Sequence, residues 1–293
     1  MPFANVDGIR TRYEVLGSGP PLLMFSPGGF NATIENWRAF GIYAHLNLLD
    51  HLTKRYTCIA FDKRESGLSG GRVERITWND YAAQGLGLLD ELGVEGAHLI
   101  GGCIGCSIAL ALAVTQPERV SSLVLYTPAG GPRYRMTQRA RFDQHRAFVA
   151  EDGLSGVVEL ARSHDMTFAR DPRVGPWASA IRTDPAFARE YVGLDVGAYQ
   201  ELVDDMARTL FDRDTVPGPE PEQLMELELP ALVVPGNDPN HATSAARYLE
   251  ECLPRSEYWN VAVEEQTEET APPRVLEFLD AQSRDSPRSS AAI

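Results

Sequence analysis

The chain has 293 residues, 43% of them hydrophobic and 23% charged, with 27 basic against 41 acidic residues and a formal net charge of −14. That balance suits a globular protein long enough to bury a substantial core, and it excludes wholesale disorder and a polytopic membrane protein. The negative field repels nucleic acid and anionic lipid, so neither is an expected partner. Lys54 and Lys63 are the only lysines, which reads as a compositional bias, and no function is drawn from it.

Cys58, Cys103, Cys106 and Cys252 are too sparse for a disulfide framework. The first ten residues lack a basic segment followed by an apolar run. No stretch approaches the roughly 18 apolar residues that cross a bilayer. The expectation is a cytoplasmic protein with reduced thiols.

In chain order, residues 8–25 read as two short strands that end in the loop Ser26-Pro27-Gly28-Gly29. A buried strand over Tyr56–Phe61 is closed by Asp62, and residues 77–92 carry apolar positions at helical spacing before Gly93. The strand Ala97–Ile100 then meets a glycine-rich turn, an alanine-rich helix over about 104–114, and the strand Ser122–Tyr126. Continuous apolar strands alternating with helices indicate a parallel sheet covered on both faces, an α/β fold. Residues 132–216 lose the strand pattern and read as a helical insertion. A stiff Pro217–Pro221 linker returns to sheet strands at Ala231–Val234 and Tyr258–Val261. The division expected is a core of 1–131 with 217–280, a cap of 132–216, and a disordered tail of 281–293.

The informative segment is His98-Leu99-Ile100-Gly101-Gly102-Cys103-Ile104-Gly105-Cys106-Ser107. It sets Cys103 on a sharp strand-to-helix turn with Gly101 and Gly105 two residues to either side, the pattern of a nucleophile elbow with cysteine for serine. The orphan N–H groups and positive dipole end of the following helix favour a thiolate there. The Ile104 amide is placed to donate to a developing oxyanion. Cys103-Ile104-Gly105-Cys106 also spells a redox dithiol. Metal binding through the two cysteines lacks further ligands at recognisable spacing.

With these motifs in this order, the chain resembles the α/β-hydrolase fold superfamily over roughly residues 8–280. Ser26-Pro27-Gly28-Gly29 matches its oxyanion loop, Arg64-Glu65-Ser66-Gly67-Leu68-Ser69 its Arg-x-x-Gly-x-Ser turn, and residues 132–216 the place of its helical cap. The resemblance implies a mostly parallel sheet flanked by helices, with the second oxyanion amide from Gly28 or Gly29. It also implies an acid after the penultimate strand, where Pro235-Gly236-Asn237-Asp238-Pro239-Asn240-His241 puts Asp238. The family's histidine ahead of an Ala-Pro dipeptide, here Ala271-Pro272, is missing. Its place falls in the acidic run Val263–Glu269, and no histidine follows residue 241.

Two ways of activating the thiol follow. In the first, Cys103 is the nucleophile, His241 the general base, and Asp238 or Glu265 orients the imidazole. In the second, Glu265 is itself the base. The expected reaction is hydrolysis of a small ester, lactone or thioester through an acyl-thioester at Cys103. A lyase or cyclase on the same scaffold, or a catalytically impaired small-molecule binder, stands as the alternative. No cofactor and no metal are implied. The expected partners are a small-molecule substrate and, as an oligomer, a homodimer, with no nucleic acid and no membrane.

Overall fold

The computed structural model describes residues 1–285. Its eight strands are β1 (Phe3–Val6), β2 (Ile9–Leu16), β3 (Pro21–Phe25), β4 (Thr57–Phe61), β5 (Ala97–Gly102), β6 (Val120–Tyr126), β7 (Ala231–Val234) and β8 (Ser256–Tyr258). They form one sheet in the order β1-β2-β4-β3-β5-β6-β7-β8. β2 runs antiparallel to β1 and β4, and every other pairing is parallel.

Before β5 come the short helices α1 (Asn36–Ala39), α2 (Tyr43–Leu46) and α3 (Leu48–Leu52), then α4 (Trp78–Glu91). α5 (Gly105–Thr115) follows β5. Between β6 and β7 stand α6 (Pro132–Ser163), α7 (Ala178–Thr183), α8 (Pro185–Val192), α9 (Val196–Leu210) and α10 (Pro221–Met225). α11 (Thr243–Cys252) and α12 (Ala271–Asp285) complete the chain.

The period-two alternation of the strands sorts the core into two layers. Leu23, Phe25, Ile59, Phe61, Leu99, Leu123 and Val233 pack with α4, α5 and α11 on one face. Their neighbours Leu22, Met24, Cys58, Ala60, Ile100, Val124 and Leu232 pack with α1 to α3 and α12 on the other. Because both faces are covered, the central strands carry no polar side, which is why they read as unbroken apolar runs. α5 has no polar face either, since every residue from Gly105 to Ala113 is buried.

Three expectations need correcting. The last strand is Ser256–Tyr258 rather than 258–261; it is a half-exposed edge strand with a polar residue at its centre, so no apolar run marks it. β1, only four residues long, is an additional strand at the opposite edge. The 281–293 tail begins inside α12, whose face packs Val275, Phe278 and Leu279 into the second layer; residues 286–293 lie outside the described residues.

The sheet register is what assembles a site. Phe25 pairs with Gly101, Gly102 with Tyr126, and Tyr126 with Val234. The parallel strands β3, β5, β6 and β7 therefore end side by side, and the loops that follow them converge at one edge.

Candidate active site

The elbow is forced by close packing. A Cβ on Gly101 would come within 2.5 Å of the Cys106 backbone nitrogen and the Gly105 carbonyl, and a Cβ on Gly105 within 2.2 Å of the Phe25 carbonyl oxygen. Only glycine lets β5 turn into α5 against β3. Between them Cys103 is held at φ +56°, a left-handed conformation that costs a residue with a side chain about 1–3 kcal/mol. The turn is pinned by Cys103 N–H donating to the Tyr126 carbonyl at 3.1 Å and by Ala129 N–H donating to the Cys103 carbonyl at 3.2 Å.

His241 arrives from the loop after β7. Gly130 and His241 form a parallel bridge, with Gly130 N–H donating to the Asn240 carbonyl at 3.0 Å. Gly236 permits the loop to fold over itself, since a Cβ there would lie 2.5 Å from that of His241. Asp238 closes the turn: its Oδ1 accepts from Asn240 N–H at 2.7 Å and His241 N–H at 3.1 Å. Its Oδ2 lies 2.7 Å from His241 Nδ1. The imidazole is only 15% exposed, and its Nε2 is buried without a regular hydrogen bond.

Cys103 and His241 perturb one another. Burial alone would push the Cys103 thiol up; the charge and approach of His241 outweigh it, helped by the backbone N–H groups of Ile104 and Gly28, so the thiol is held below its ordinary range. Burial likewise opposes a charged imidazole, but the Cys103 sulfur and the Asp238 carboxylate lift His241 to about 10. Asp238, hydrogen-bonded to that imidazole against the opposing effect of burial, falls to about 2. The state favoured is a thiolate–imidazolium pair with a carboxylate behind it.

The amide loop after β3 is braced from α1. Asn36 Nδ2 donates to the carbonyls of Pro27 and Asn31, both at 2.7 Å. Gly28, at φ +122°, has no room for a side chain beside that amide. It is Gly28 rather than Gly29 whose N–H approaches the Cys103 sulfur, while Gly29 and Ile104 line an adjoining cavity.

Cys103, His241, Asp238, Gly28 and Ile104 are thus brought together. Glu265 is not. It ends a short 3₁₀ turn with its side chain exposed, its backbone carbonyl accepts from Thr270 Oγ1 at 2.6 Å, and of the two acids expected as alternatives to orient the imidazole it is Asp238 that lies against Nδ1. The inward residue of that run is Gln266, which accepts from Tyr126 Oη at 3.0 Å and donates to the Pro235 carbonyl at 2.8 Å. Cys103 and Cys106, which also spell a redox dithiol, are both free, and Cys106 Sγ donates to the Gly101 carbonyl at 3.1 Å. Burial, then the neighbouring Cys103 charge, pushes the Cys106 thiol well up. Among the described residues no three His, Cys, Asp or Glu side chains group to hold a metal, and no helix is long and apolar enough to cross a membrane.

Sequence reasoning missed Asn36, Lys63, Trp78, Tyr81 and Tyr134. Tyr134, from the first turn of α6, is buried close enough to feel the Cys103 charge. Lys63, Trp78 and Tyr81 share the cavity with Gly29 and Ile104. Lys63 carried a signal that went unused, as a lysine at the end of a buried strand in a chain with only two.

Comparison with known proteins agrees with this architecture. Residues 21–161 match the family model described as alpha/beta hydrolase fold. The chain is 38% identical over 128 residues to the dihydrolipoyllysine-residue acetyltransferase component of an acetoin cleaving system from Cupriavidus necator, covering 44% of this chain and 32% of that one. It is also 38% identical over 128 residues to a 2-hydroxymuconate semialdehyde hydrolase from a Pseudomonas species, covering 42% and 41%. The chain therefore spans well under half the length of these curated relatives. An enol-lactonase from Burkholderia xenovorans superposes with a TM-score of 0.62 at 19% identity, over 95% of this chain and all (100%) of that one. The strand order, the elbow and these likenesses together give this chain the α/β-hydrolase fold.

Proposed function

We propose that the protein is a hydrolase of small esters, lactones or thioesters, with Cys103 as nucleophile, His241 as acid and base, and Asp238 orienting the imidazole. One observation carries the reading: a cysteine strained onto an elbow beside a buried histidine whose other nitrogen is 2.7 Å from a carboxylate. A structural cysteine needs neither the strain nor the partners. The similarity to hydrolases of small molecules supports the same class.

In the acylation step the Cys103 sulfur attacks the acyl carbon and the carbonyl electron pair moves to oxygen. Ile104 N–H and Gly28 N–H donate to that oxyanion, each worth roughly 3 kcal/mol of barrier. Collapse restores the carbonyl and expels the alkoxide or thiolate, which takes the proton from His241 Nε2. In deacylation His241 Nε2 accepts a proton from water as the water attacks the thioester, and the Cys103 thiolate leaves. Asp238 accepts from Nδ1–H throughout and so keeps Nε2 on the reacting side.

The test is intact-mass detection of an acyl group on Cys103 after mixing with an activated ester, with turnover measured alongside. The expected result is a transient adduct lost in Cys103→Ala, and a fall of about 10²- to 10⁴-fold in kcat for His241→Ala. No adduct and no turnover with a range of acyl donors would overturn the reading.

A further inference from the structure

The cavity beside the elbow holds polar groups for which acyl transfer has no use. Its walls are largely aromatic and aliphatic, with Gly29 and Ile104 at the oxyanion end. Into it come Lys63, from the turn after β4, and Trp78 and Tyr81, from successive turns of α4. All three are more than nine-tenths buried, at 5%, 8% and 3% exposure. Among the described residues Trp78 Nε1 and Tyr81 Oη have no hydrogen-bond partner. Lys63 Nζ donates once, to the Arg64 carbonyl at 3.1 Å, and otherwise lies over the ring faces of Tyr81 at 4.0 Å and Phe30 at 5.5 Å. Among the described residues no carboxylate forms an ion pair with it: Asp62, next to it in the chain, is bound to Arg12, and Glu65, whose buried charge acts on Lys63 without contact, is bound to Arg64 Nε at 2.8 Å.

An ammonium and an indole N–H are donors only, and a buried ammonium left with a single hydrogen bond is costly. The group that satisfies both is an anionic acceptor brought by a ligand. We propose that Lys63, Trp78 Nε1 and Tyr81 Oη form the carboxylate-binding end of the substrate pocket, and that the protein selects substrates carrying a carboxylate on the part that enters this cavity. Burial also holds the Lys63 ammonium down to about 8 against the opposing charge of Glu65, and a bound carboxylate would raise it.

The inference rests on Cys103 acyl chemistry only for which bond is broken, and the test separates the two. Monophenyl glutarate and phenyl valerate present the same ester with a carboxylate or a methyl group at the far end. Their turnover is compared in the wild type and in Lys63→Met, and their binding in Cys103→Ala with and without Lys63→Met. The wild type is expected to prefer the glutarate ester by about 30-fold in kcat/KM, and Lys63→Met to bring that ratio near one. Tyr81→Phe, which removes only a hydroxyl, should lower the ratio about threefold and serves if Lys63→Met fails to fold. The Cys103→Ala protein should bind the glutarate ester with the same Lys63-dependent preference; that result without wild-type turnover would sink the hydrolase reading and leave the carboxylate site standing. Equal handling of the two esters by the wild type, or a ratio untouched by Lys63→Met and Tyr81→Phe, would overturn the carboxylate site.

Discussion

At the scale of single residues, the elbow is the feature that sequence carries most completely. Gly101, Cys103 and Gly105 are dictated by backbone approach, and backbone approach leaves a spaced glycine pattern that can be read without coordinates. Gly105→Ala is expected to cost about 2–3 kcal/mol of stability, because the 2.2 Å approach to the Phe25 carbonyl forces α5 away from β3; urea unfolding measures it. Asp238 and His241 could be placed in one loop from sequence, but the choice between Asp238 and Glu265 could not, because it depends on which acid the folded loops set against the imidazole, and Asp238, itself half-exposed, is the one 2.7 Å from Nδ1. Glu265 is exposed. Glu265→Gln is therefore expected to change kcat less than twofold under steady-state assay, where a tenfold loss would return it to the site. Lys63 escaped notice because its meaning lies in what surrounds it, two rings and two orphan donors that only the fold brings together.

At the scale of elements, long buried strands and the capped helix α4 announce themselves, while short pieces do not. Thr77 caps α4 by a reciprocal box with Asp80, and the apolar spacing of α4 is regular. α1 to α3 are four or five residues each, too short for a period, yet α1 supplies Asn36, which holds the amide loop. Asn36→Ala removes two hydrogen bonds of 2.7 Å and should cost about 1–2 kcal/mol of stability. Its larger expected effect is about a tenfold loss in kcat, through a Gly28 amide no longer aimed at the sulfur. Comparing unfolding with steady-state kinetics separates the two; a kcat loss no greater than that of an exposed control would show that the brace does not aim the amide.

At the scale of the whole molecule, two histidines far from the elbow tie stability to pH. His98 sits between Ser122 and Ser283, at 2.8 and 3.0 Å. His145 sits between the Arg173 carbonyl at 3.0 Å and Tyr199 Oη at 2.6 Å. Burial holds each down to about 4. The unfolded chain takes up these protons near pH 6.5 and the native chain only near 4, so stability is full above about 6.5 and falls as pH drops from there toward 4. Each group contributes on the order of 2–3 kcal/mol of that loss. Urea midpoints at pH 7 and pH 5 should differ accordingly, and His145→Gln should flatten the dependence; equal midpoints would mean that the histidines are hydrated.

The central claim is that Cys103 is a thiolate held by His241, and the pH profile of its alkylation by iodoacetamide addresses that claim most directly. In the wild type the half-maximal rate at Cys103 should fall well below pH 8.5, the value of an ordinary thiol. In His241→Ala it should rise above 8.5, since burial then acts without the opposing charge. A wild-type profile centred near 8.5 and unmoved by His241→Ala would contradict the account.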